Sequence, residues 1–157
     1  MDRSTFENLV LGTQEALRRF LTALCCGDAA LADDIAQESY ISAYLMLDDL
    51  RDPSRFAAWL HRIAYNNYIS HRRSARPSAA LDGAADMIAP GRADDAFRYE
   101  PLYSALAQLS DKERNAILLH YLEGYSVRET ADITGDSADA VKQQLSRGRH
   151  HLKHLLS

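Results

Sequence analysis

The sequence has only two cysteines, Cys25 and Cys26, and they are neighbours. Adjacent thiols cannot build a disulfide framework or supply four zinc ligands, so no such cross-link is expected to hold the fold. They read as packing residues at a helix end. No apolar run approaches the roughly 20 residues that span a bilayer. Nor does a basic segment followed by an apolar one and a cleavage site open the chain. The expectation is a cytoplasmic protein with no membrane insertion. Strand signals are missing as well, because no period-two run of β-branched residues lies between turn residues. There is no Gly-rich phosphate loop, no His-Glu metal motif and no nucleophile elbow. The carboxylates do not pair across a recognisable pocket. No catalytic residue, metal or cofactor is therefore expected, and the chain is read as not an enzyme.

Proline is scarce too, with four in 157 residues, and three of them, Pro77, Pro90 and Pro101, punctuate one stretch. On either side of that stretch the pattern is helical. Phe6, Leu9, Val10, Leu17, Phe20, Leu21 and Leu24 recur at helical spacing. So do Ile35, Tyr40, Ile41, Tyr44, Leu45 and Leu47. A third series, Phe56, Trp59, Leu60, Ile63, Ala64 and Ile69, follows the helix-start signal Pro53-Ser54. The middle, "RPSAALDGAADMIAPGRADDAFRYEP", has little apolar surface to offset the entropy of ordering. Beyond it, Ser110 with Glu113 and Ser126 with Glu129 make capping-box patterns, and Ser137 stands where a last helix begins. The reading is all-α: two small helical domains joined by a flexible linker, the second containing a helix-turn-helix. The domains are set at residues 1–77 and 99–157, with the linker at 78–98.

Net charge is −4, which argues against a protein that binds nucleic acid over its whole surface. The charge is not evenly spread, however. From Asp28 to Asp52 seven acids (Asp28, Asp33, Asp34, Glu38, Asp48, Asp49, Asp52) face one base, Arg51. From His61 to Arg76 there are four arginines and no acid, and Lys142, Arg147, Arg149 and Lys153 follow Ala140 with no acid among them. Basic side chains also suit helix C-termini and solvated faces. Two acid-free stretches at the ends of two domains fit local phosphate contact better.

The second basic stretch sits on a helix pair. Val127, Ala131 and Ile133 give the first helix a packing face, Gly135 permits a turn, and Val141, Leu145, Leu152 and Leu155 stripe the second. Gln143, Gln144, Arg147, His150 and His151 fall away from that stripe. This is helix-turn-helix grammar, in which Gln can pair with adenine, Arg with guanine, and flanking bases with phosphates. His150 and His154 stand four apart, but with no carboxylate or thiol near them in sequence a phosphate-facing role outweighs metal binding. In the first domain Tyr65 and Tyr68 interleave with Asn66, Asn67, His71, Arg72 and Arg73. Such residues suit unstacked single-stranded bases, although aromatics at helical spacing are also core residues. Trp59 is assigned to the core.

With these segments in view, the chain resembles the extracytoplasmic-function (ECF) group of sigma-70 family RNA polymerase sigma factors. "DDIAQESYISAY" is similar to the family's polymerase-binding helix, and "FAAWLHRIAYNNYISHRR" to the segment that melts and reads the promoter −10 element. "LYSALAQLSDKERNAILLHYLEGYSVRETADITGDSADAVKQQLSRGRHHLKHL" is similar to the −35-binding domain. The resemblance implies that Asp34, Gln37 and Glu38 contact core RNA polymerase. It places Tyr65, Asn66, Asn67, His71, Arg72 and Arg73 on the melted −10 strand, and Lys142, Gln143, Gln144, Arg147 and Arg149 on the −35 duplex. The chain departs from the family pattern at Gln143-Gln144, Asp136, Thr130 and Gly148. The resemblance thus implies a factor that directs promoter recognition and transcription initiation, monomeric when free, with an anti-sigma factor as a further partner left open. A sigma-like decoy for an anti-sigma factor and a stand-alone helix-turn-helix regulator are the competing readings.

Overall fold

A computed structural model describes residues 2–74 and 93–157, and among the described residues every regular element is helical. Helix α1, Arg3–Leu24, starts where the Asp2 carboxylate accepts from Thr5 N at 2.8 Å. It buries Phe6, Leu17, Phe20, Leu21 and Leu24 along one stripe, as the spacing requires. The chain then reverses through Cys26 (φ 55°) and Gly27 (φ 95°). Gly27 also admits a close neighbour, since a Cβ there would stand 2.8 Å from the Tyr103 ring of the second domain. Cys25 and Cys26 are buried, and burial pushes both thiols up, so they stay protonated packing residues.

Asp28 caps α2, Ala29–Leu45, by accepting from Leu31 N. Two 3₁₀ turns, Leu47–Asp49 and Pro53–Arg55, lead into α3, Phe56–Ser74. These three helices enclose Phe20, Ile35, Phe56, Leu60 and Ala64. Trp59 lies at the margin of that core, half-buried and tilted against Phe56.

Residues 75–92, most of the expected linker, lie outside the described residues. Its last part does not fit the expectation: α4, Ala93–Ala107, begins inside 78–98 and carries Pro101 within it. The stretch looked structureless because the apolar side chains that anchor this helix, Ala105 and Leu106, lie at its far end, with Leu109 just beyond. Helix α5, Asp111–Ile117, passes directly into a π turn, Leu118–Leu122, and is followed by α6, Val127–Thr134, and α7, Ala138–Leu156.

Both capping boxes are formed, at Ser110/Glu113 and at Ser126/Glu129, and Ser137 accepts from Ala140 N to start α7. Each such cap is worth about 1 kcal/mol. Gly135 ends α6 in the left-handed region at φ 79°, which lets α6 and α7 meet as a helix-turn-helix. Gly148 has a different task. It faces α5, and a Cβ at that position would lie 2.7 Å from Ile117 Cγ1. Its helix-propensity cost of about 1 kcal/mol permits the close α5–α7 contact, with Val141 and Leu145 buried on the same side.

Candidate nucleic-acid interface

Asp34, Gln37 and Glu38 are all exposed on α2, on the side opposite Ala32, Ile35, Ser39 and Ala43, which are buried. The same outward stripe continues through Ile41 and Leu45, 61% and 77% exposed, with Tyr44 beside them. These three apolar residues keep helical spacing with Ile35 but lie outside the core. The helical step of three or four from Asp34 and Glu38 to Ile41 and Leu45 was the signal that could have found this mixed acidic and apolar face.

On α3 the expected strand-binding residues separate into two kinds. Asn66, Arg72 and Arg73 are exposed. Asn67 is half-buried and donates to Ser39 Oγ at 3.3 Å, so it ties α3 to α2. His71 Nε2 lies 3.0 Å from a Glu38 carboxylate oxygen, which joins a residue of the strand-binding set to one of the polymerase-binding set. Tyr65 is half-buried and Tyr68 is 3% exposed. Burial pushes both phenols up to about 12, so each remains a neutral hydroxyl. The Arg72 guanidinium stands 5.9 Å above the Tyr68 ring, and its Nε is 3.4 Å from Asp111 Oδ1 on α5.

On α7, Lys142, Gln143 and Arg147 are exposed on the face turned away from Val141 and Leu145. Gln143 and Arg147 are four apart and share a stripe, as do Lys142 and Arg149 at seven. Arg149 Nη1 donates to Tyr121 Oη at 3.0 Å. Gln144 differs from these. It is half-buried, and its amide donates to Asp136 Oδ2 at 2.9 Å, while Lys112 pairs with Asp136 at 3.7 Å. Asp136, at the turn, therefore has a partner on the recognition helix. His151 Nδ1 lies 3.3 Å from Glu113, and no cluster of three metal-ligating side chains exists among the described residues.

The sequence reading missed the buried polar residues, Arg114 and His61 among them. Arg114, 2% exposed, donates from Nε to Leu106 O at 2.8 Å, from Nη2 to Leu109 O at 3.1 Å and from Nη1 to Tyr68 Oη at 2.7 Å. His61, 3% exposed, points Nε2 at Glu123 Oε1 at 3.0 Å. His61 stood at the head of a basic run and Arg114 in none, and sequence carries no mark that a particular Arg or His turns inward.

This arrangement matches known proteins in both halves. Residues 9–77 match the family model for sigma-70 region 2, and residues 99–152 match that for sigma-70 region 4. The ECF RNA polymerase sigma factor SigW of Bacillus subtilis is 32% identical over 145 residues, covering 81% of this chain and 76% of SigW. RfaY of Xanthomonas campestris is 33% identical over 158 residues, which cover 88% of this chain, and the chain spans 40% of that relative's length. Among solved structures, the sigma factor RpoE of Bartonella quintana, crystallised with the anti-sigma factor NepR, superposes with a TM-score of 0.76. It is 28% identical, and the match covers 96% of both chains. The chain belongs to the sigma-70 family, in its ECF group of RNA polymerase sigma factors.

Proposed function

We propose that this protein is a detachable promoter-specificity subunit, with no catalytic chemistry of its own, that binds core RNA polymerase and directs initiation. The observation that carries the proposal is the succession of the two sigma-70 regions, in order, on the two helical domains. The exposed face of α2, through Asp34, Gln37 and Glu38 with Ile41 and Leu45 beside them, docks on the polymerase. Asn66, Arg72 and Arg73 of α3, with Tyr65, meet the melted −10 strand, where stacking and phosphate contacts supply the binding. Lys142, Gln143, Arg147 and Arg149 of α7 meet the −35 duplex in the major groove. The anti-sigma factor bound to the Bartonella relative supports a partner of that kind for this chain as well.

The acidity of the chain fits this reading. Each DNA footprint is small and the net charge is −4, so binding to DNA alone is weak. Tethering both footprints on the polymerase raises their effective concentration. Glu38→Arg is expected to abolish binding to core polymerase in a pull-down with purified enzyme. Wild-type affinity in that variant would remove α2 as the docking face, and a wild-type chain that binds no polymerase would remove the proposal.

A further inference from the structure

The turn that opens the recognition helix carries an acidic side chain held from three sides. Asp136 follows Gly135 directly, and its backbone N donates to Thr134 Oγ1 at 3.3 Å. Its Oδ1 pairs with Lys112 Nζ of α5 at 3.7 Å, and its Oδ2 accepts from Gln144 Nε2 of α7 at 2.9 Å. The two contacts differ in strength. Lys112 is 68% exposed, so water and salt screen that pair. The Gln144 bond is partly buried and runs to a charged acceptor, which strengthens it. The other end of the same amide, Gln144 Oε1, is buried and has no hydrogen-bond partner. Gln144 also stands on the border of two faces. Val141, three residues before it, and Gly148, four after it, are buried, whereas Arg147, three after it, is exposed.

We infer that Asp136 is a positioning residue for promoter specificity: it holds Gln144 back from the −35 duplex and leaves one base pair within reach of α7 unread. The inference rests on the assignment of α7 to that duplex. A Gln pairs with adenine in a bidentate way, its amide N donating to N7 and its amide O accepting from N6. Gln144 offers neither group as the turn is folded, because Nε2 is drawn back to Asp136 and Oε1 is enclosed. The enclosed oxygen makes the carboxylate decisive. A buried acceptor without a partner favours release, so the bond to Asp136 is what keeps the side chain in. Without that acceptor the long side chain swings toward Arg147, where both amide groups gain partners on a base edge. Lys142, Gln143 and Arg147 are exposed either way, so the wild-type chain reads with those alone. Asp136 thus narrows what the helix recognises while touching no base itself.

The test uses the full chain with core polymerase and a duplex library randomised over the −35 element, the rest of the promoter held constant. Bound duplexes are sequenced for wild type, Asp136→Ala, Asp136→Asn, Gln144→Ala and the double variant Asp136→Ala/Gln144→Ala. Asp136→Ala is expected to gain a preference for adenine, by about tenfold, at one position where wild type has none, which is within what one bidentate pair supplies. Asp136→Asn removes the charge but keeps an acceptor for the amide, so it should select as wild type does. The double variant should lose the gained preference, and Gln144→Ala alone should match wild type. Three results would overturn the inference: wild-type selection by Asp136→Ala, the same gain in Asp136→Asn, or a gain that survives in the double variant. The second would show charge alone, and the third a shift of the whole helix. Far-UV circular dichroism reads the folding of each chain, and Asp136→Val, which also lacks an acceptor, takes the place of Asp136→Ala if that variant misfolds. A wild-type chain that selects no sequence would sink the functional proposal and this inference with it, whereas selection identical in wild type and Asp136→Ala would sink the inference alone.

Discussion

Gly148 shows how one residue can be misread from sequence. A glycine in the middle of a 19-residue helix looks like a weakness, and by propensity it is one. Its surroundings reverse the sign. Gly148→Ala would gain about 1 kcal/mol of helix propensity but drive a Cβ into Ile117. Overpacking of that kind costs typically about 1–3 kcal/mol, so the variant is expected to lower the urea midpoint. A raised midpoint would mean that Ile117 rotates away freely. Gln144 is the converse case. It read as a base-contacting residue, but its amide is committed to Asp136. Arg147→Ala should therefore weaken discrimination among −35 sequences by about 1–3 kcal/mol, while Gln144→Ala leaves discrimination nearly unchanged. Competition binding with variant duplexes, in the presence of polymerase, measures both. Equal losses would return Gln144 to the set of reading residues.

At the level of elements, the helices with strong local signals were legible and the others were not. Ser110, Ser126 and Ser137 marked three helix starts because a capping side chain acts within its own turn. Helix α4 was hidden because its stabilisation comes from docking Ala105 and Leu106, which no local pattern around Pro101 reveals. Helix α2 was legible as a helix and in its exposed acids, but not in its exposed apolar residues. Ile41, Tyr44 and Leu45 keep helical spacing whether they face a core or a partner, and the sequence cannot tell the two apart. The π turn at Leu118–Leu122 also left no signal, yet it presents Glu123 to α1 and α3.

At the scale of the whole molecule that carboxylate joins helices far apart in the chain, pairing with Arg19 of α1 and His61 of α3. Burial alone would push Glu123 up, but the hydrogen bonds from His61 and Arg19 outweigh burial and hold it below the usual glutamate range. A carboxyl lowered in the folded state contributes stability above its unfolded value and loses it as pH falls through the folded one. The contacts of Glu123 with Arg19 and His61 should therefore part in acid, below about pH 4, with the radius of gyration rising before far-UV circular dichroism falls. Simultaneous loss of both signals would mean that the domains do not separate before they unfold. At this scale the negative net charge and the two basic faces also stop being contradictory. Under the proposed function Asp34 and Glu38 serve the polymerase side, Asp111 pairs with Arg72 and Glu123 with Arg19 and His61, and the remaining basic side chains of α3 and α7 are left for DNA. The most direct measurement is transcription in vitro with core polymerase, on promoters whose start sites are mapped after overexpression of the chain. The account predicts transcripts from those starts that require the chain and vanish with Glu38→Arg; transcripts that form equally without the chain, or none with it, would contradict it.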